Sequence, residues 1–169
     1  FDYQATRPLV SLVEGVTRRI EWPENELRAT APNLAQAGGR GAILLRFGEG
    51  ADALVVVMMH LALGGGARAR QLAYIRDLIG DYRHQVLMGD MNTHANDLLE
   101  NSPLRDLGLL APQVEATFPS WRPQRCLDHI LLSPSLTLER VDVLALPISD
   151  HLPVAVDIRL PGALNLPML

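Results

Sequence analysis

Four short segments of this chain carry side chains that can bind a hard cation, move a proton or hold an anion: His60-Leu61, Gly89-Asp90-Met91-Asn92, Leu127-Asp128-His129-Ile130 and Ser149-Asp150-His151. Asp90 and Asn92 stand two apart, and in extended chain such residues point the same way. A carboxylate can then orient a water or bind a cation, while the amide donates to a developing oxyanion without adding charge. Taken alone, Gly-Asp-x-Asn after a strand is also a turn, because Asp and Asn satisfy their own backbone. His151, with a carboxylate partner, keeps one tautomer and can serve as general base or anion ligand. Its neighbour Asp150 points the other way in extended chain, so Asp128 is the expected orienter. Ser-Asp-His is a turn as well. Asp128 interrupts an apolar run, where a buried carboxylate must be paired; alternatively it shares a wet face with Ile130. His60 ends the most hydrophobic strand, placed to donate to an anion, to protonate a leaving group, or only to hydrogen-bond a strand end. His84, His94 and His129 have no comparable context. Arg68 and Arg70 open a helix, where they either steer an anion or are simply solvated.

These residues need elements to gather them. Ala42 to Phe47 and Leu54 to Met59 read as strands, the second rich in β-branched Val and delivering His60. Gly64-Gly65-Gly66 breaks the chain, and the helical spacing of Leu72, Ile75, Leu78 and Ile79 predicts a helix over Ala67 to Tyr82. Gln85 to Met88 is a buried strand leading into the Gly-Asp-Met-Asn segment. Asp97 to Leu110 reads as short helical pieces and 111–126 as a Pro-rich loop, in which Phe118 and Trp121 can cover the core or stack a ligand. Leu127 to Leu132, Val141 to Leu146 and Val154 to Leu160 are further strands, and one more fits within Val10 to Trp22. The tail after Pro161 is expected to pack on the surface or fray. Most strands follow one another without a crossover helix. The expected fold is therefore α/β (α+β), a mixed or antiparallel β-sandwich flanked by helices, in a single domain over 1–169.

The bulk numbers agree with one globular domain: 169 residues, 48% hydrophobic and 20% charged. Net charge is −4 and the pI about 5.7, which argues against a protein living on nonspecific duplex binding. Every basic residue is Arg, so any phosphate grip is by guanidinium forks. Cys126 is the single cysteine, which excludes an intrachain disulfide and a Cys-rich metal site. No apolar run reaches membrane-spanning length and no signal peptide is visible, so a soluble, cytoplasmic protein is expected. The chain begins with Phe, so a processed, trimmed or engineered piece is expected, with an upstream targeting segment left open.

In order and type the four motifs resemble the second half of the endonuclease/exonuclease/phosphatase superfamily, with its His-Leu, Gly-Asp-x-Asn, Ile-Asp-His/Tyr-Ile and Ser-Asp-His patterns. Arg40-Gly41-Ala42 before a strand and Arg70-x-x-Gln-Leu in the helix fit as well; Met91 and Leu127 are mild departures. The resemblance covers about residues 38–160. It implies the four-layer fold of metal-dependent phosphodiesterases. It also implies a phosphate-ester substrate, whether nucleic acid, phospholipid headgroup or small ester, and Mg²⁺ or Mn²⁺ as Lewis acid. His151 would be the general base, with Asp128 orienting it. Asp90 would position the attacking water, Asn92 would stabilise the transition state, and His60 would bind phosphate or assist the leaving group. Asp150, Asp90 and Asn92 would face the metal. The family's early Asn and its Gln-Glu metal ligand have no match, Glu14 being the nearest shape. The expectation is an N-terminally truncated domain that binds metal weakly and self-associates through open strand edges, active as a hydrolase or surviving as an interaction module without chemistry.

Overall fold

The computed structural model describes residues 15–20 in their backbone, and 42–112 and 115–162 in full. The elements run β1 (Gly15–Ile20), β2 (Ala42–Phe47), β3 (Leu54–Met59), α1 (Gly65–Ile79), β4 (His84–Asp90), α2 (Ala95–Leu99), a 3-10 helix (Pro103–Leu107), β5 (Asp128–Leu132), β6 (Thr137–Val143) and β7 (Val154–Arg159). Strands β1 to β5 form one sheet in sequence order, and β6 and β7 form a second. Within the first sheet only β3 and β4 are parallel. They are joined by the crossover helix α1, as a parallel connection requires. The architecture is thus mixed and antiparallel sheets flanked by helices.

Period-two alternation gives the five-stranded sheet two distinct faces. On one, Val55, Val57, Met59, Leu87 and Leu131 pack against Leu72, Ile75 and Ile79 of α1, Leu98 of α2 and Leu104 of the 3-10 helix. On the other, Leu54, Val86, Ile130 and Leu132 meet Val154, Val156 and Ile158 of β7. Helices, first sheet and second sheet make three layers among the described residues.

Strands β2 and β3 have the ends their apolar runs predict, while other elements differ for physical reasons. α1 starts two residues early, with Gly64 as N-cap and Gly65-Gly66 in its first turn. β6 runs Thr137–Val143 rather than Val141 to Leu146. Past Val143, Leu146 N–H donates to the Leu144 carbonyl and Ile148 N–H to that of Leu146, at 2.7 and 2.8 Å. Two three-residue turns in succession take the chain off the ladder. β6 is an edge strand whose first four residues are exposed, so its sequence carries little apolar signal. β4 extends to Asp90, two residues past the expected end. The expected strand near the N-terminus coincides with β1, whereas Glu14, Arg40, Gly41 and the tail beyond Gly162 lie outside the described residues.

Candidate active site

The longer β4 brings two carboxylates face to face. Asp90, its last residue, stands directly opposite Asp128, the first residue of β5. Both continue the face that carries Met88 and Ile130, and His60 follows Met58 on the same alternation. Like charges directly opposite each other on neighbouring strands destabilise a sheet, so each carboxylate needs donors of its own.

Asp128 has two. His151 Nδ1 donates to Asp128 Oδ2 at 2.7 Å, and Thr117 Oγ1 donates to the same oxygen at 2.5 Å. A proton on Nδ1 leaves Nε2 of the neutral imidazole as the open base. Burial works to lower the His151 pKa, but the hydrogen bond and charge of Asp128 outweigh it, with Asp90 and Asp150 adding to them, and the net is a value raised above 6.5. Asp90 is served differently: the Asn92 backbone N–H donates to its Oδ1 at 2.9 Å, and His60 Nε2 lies 3.4 Å from its Oδ2.

The backbone after β4 explains the Gly-Asp-Met-Asn pattern. Gly89 has φ of 129°, and a Cβ there would sit 2.0 Å from the Met59 carbonyl oxygen. Only glycine lets β4 approach β3 this closely. Asn92 has φ of 51°, a left-handed conformation that Asn tolerates. The segment is a turn rather than extended chain, closed by the Asn92 N–H on Asp90 Oδ1. Asn92 Nδ2 donates to the Leu61 carbonyl at 2.8 Å, and Leu61 N–H donates to the Asp90 carbonyl at 2.9 Å. The loop bearing His60 is thereby stitched to the loop bearing Asp90 and Asn92.

A third loop closes the site. Ser120 N–H donates to the Asp150 carbonyl at 2.8 Å, Ser120 Oγ to that of Ser149 at 2.5 Å, and Leu152 N–H to that of Thr117 at 2.9 Å. The Phe118 ring lies tilted against the His151 imidazole, centroids 4.8 Å apart. Phe118 thus covers the imidazole, while Trp121, far from covering the core, is 73% exposed. Beside Asp128 and His151 opens a cavity of about 350 Å³, walled chiefly by Met58, Met88, Ile130, Leu152 and Val154.

Other candidates fall elsewhere. Asp150 is exposed and accepts from the Ser149 hydroxyl. Among the described residues no group of three or more His, Cys, Asp or Glu side chains can hold a metal ion. Asp90 and Asp150 are suitable hard donors. Arg68 Nη1 donates to the Ala62 and Leu63 carbonyls, at 3.1 and 3.0 Å, and so is committed to the backbone. His129 faces the helical layer: fully buried, its Nε2 donates to the Thr93 carbonyl at 2.8 Å, and burial pushes its pKa below 6.5 despite that bond and the charge of Asp128. Asp128 and Ile130 share a face, but Ile130 is buried between the sheets rather than wet. Thr117 was not legible as a site residue; its signal was one of two hydroxyls, with Ser120, in the loop leading to Asp128.

The model of the Endonuclease/Exonuclease/phosphatase family matches residues 25–151. Among solved structures, the chain is similar to a mannosyl-6-phosphatase of Bacteroides thetaiotaomicron. The identity is 19%, the TM-score 0.61, and the match covers 87% of this chain and 66% of that one. It is also similar to TDP2 of D. rerio complexed with a single-stranded DNA product (14%, 0.58, 85% and 67%). A third is the human Nocturnin catalytic domain with bound sulfate (16%, 0.56, 93% and 76%). At such identities the likeness is one of fold. The chain spans about two thirds of the length of the first of these structures. No curated protein sequence matches it.

Proposed function

Because the chain belongs to the endonuclease/exonuclease/phosphatase family, we propose that it is a phosphoester hydrolase in which His151 is the general base. The observation that carries this reading is the 2.7 Å contact between His151 Nδ1 and Asp128 Oδ2, which leaves Nε2 free to take a proton. Water attacks phosphorus as His151 Nε2 removes its proton. An O–P bond forms, and the ester P–O bond breaks on the opposite side. Asp90 holds the water in line. The second N–H of the Asn92 amide donates to an equatorial oxygen, and His60, exposed at the rim, returns a proton to the departing oxygen. The substrate class of this reading is a phosphate ester.

Mg²⁺ or Mn²⁺ would be the Lewis acid of this reading, with Asp90, Asn92 and Asp150 as its candidate holders on this chain. The described residues do not complete its shell. The test is hydrolysis of bis(p-nitrophenyl) phosphate with Mg²⁺ or Mn²⁺. Turnover that stops with EDTA, and in His151→Ala, supports the reading. Turnover unchanged in His151→Ala removes the imidazole from the mechanism.

A further inference from the structure

Thr117 does more than occupy the loop before β5. It is fully buried, and a buried hydroxyl needs an acceptor. Its Oγ1 donates to Asp128 Oδ2, the oxygen that also accepts from His151 Nδ1. Its carbonyl accepts from Leu152 N–H, one residue past His151, and its own N–H donates to the Arg125 carbonyl, both at 2.9 Å. One residue therefore grips the carboxylate by its side chain and the histidine loop by its backbone.

The carboxylate torsion of Asp is broad and roughly two-fold. With His151 as its one donor, the carboxylate is free to rotate and the imidazole to change tautomer. A second donor on the same oxygen, fixed by a buried backbone, removes that freedom. We infer that Thr117 is a positioning residue: its hydroxyl locks the Asp128 carboxylate with Oδ2 toward His151, and so holds the imidazole in the Nδ1–H tautomer with Nε2 open. This rests on the reading of His151 as the base, but the positioning is measurable without turnover.

Thr117→Val keeps the shape and removes the hydroxyl, while Thr117→Ser keeps the hydroxyl. The ring nitrogens of ¹⁵N-labelled histidines report the tautomer in mildly alkaline buffer, where the imidazole is neutral. The expected result is the Nδ1–H form of His151 in the unaltered chain and in Thr117→Ser, and a mixture of tautomers in Thr117→Val. With bis(p-nitrophenyl) phosphate, kcat should fall about tenfold or more in Thr117→Val, with KM little changed, and recover in Thr117→Ser. Should Thr117→Val not fold, Thr117→Ala also lacks the hydroxyl and is read the same way. An unchanged His151 tautomer in the folded variant lacking the hydroxyl overturns the inference, whether or not the chain hydrolyses anything. A shifted tautomer in a chain without turnover upholds the positioning and sinks the hydrolytic reading instead.

Discussion

The two faces of the five-stranded sheet are built from the same strands, yet they do different work. Toward the helices, Val55, Val57, Leu87 and Leu131 are wholly buried, and His129 is buried on the same face. Toward the second sheet, burial fades along the strands: Leu54 and Val86 are buried, Met58 is 48% exposed, and beyond Met58, Met88 and Ile130 come His60, Asp90 and Asp128. One face is a finished core. The other runs from core to the polar residues of the candidate site within a few positions, because alternation hands His129 to one side and Asp128 to the other. The helical face should therefore carry stability and the open face catalysis, and substitutions can separate the two.

The largest effect on stability belongs to the helical face. Leu87→Ala should cost about 2–5 kcal/mol in urea unfolding. Gly89→Ala, at the boundary of the faces, meets the Met59 carbonyl and should cost about 1–3 kcal/mol with a loss of turnover, since β4 must withdraw from β3. Met58→Ala on the open face should cost about 1 kcal/mol or less. A Met58 variant as damaging as Leu87→Ala would erase the contrast between the faces.

Acid–base behaviour sharpens the same comparison with smaller effects. His129 has a folded pKa below 6.5, so the unfolded chain binds the extra proton. Its contribution is complete above that pH and is lost as pH falls through the folded value. His151 has a folded pKa above 6.5, and the sign reverses. Its contribution is complete below 6.5 and is lost as pH rises through the folded value. Urea midpoints against pH should therefore flatten on the acid side in His129→Gln and on the neutral-to-alkaline side in His151→Gln. In the proposed mechanism His151 acts only when neutral, so kcat/KM should climb with pH through the raised pKa.

Much of this site was legible because its residues sit in local patterns. The strand run Leu54–Met59 announces His60, and Gly-Asp-x-Asn announces a chain reversal after a buried strand. Register was not legible. Nothing in the order of residues says that Asp90 faces Asp128 across a ladder, since pairing depends on where two distant strands stop. Nor does sequence alone show that Thr117, eleven residues from Asp128, reaches the same oxygen as His151. The His129 burial was hidden for a related reason: an Asp-His pair in a strand divides between two faces, and only the layers around them tell which face is wet.

The central claim is that His151 and Asp128 act as one unit. The direct test is a double-mutant cycle on kcat for bis(p-nitrophenyl) phosphate with His151→Ala, Asp128→Ala and the pair. The account predicts that His151→Ala loses about 10²–10⁴-fold and that adding Asp128→Ala costs almost nothing more, because an orienter without its base has nothing to orient. Losses that multiply in the double variant would show two independent residues and contradict it.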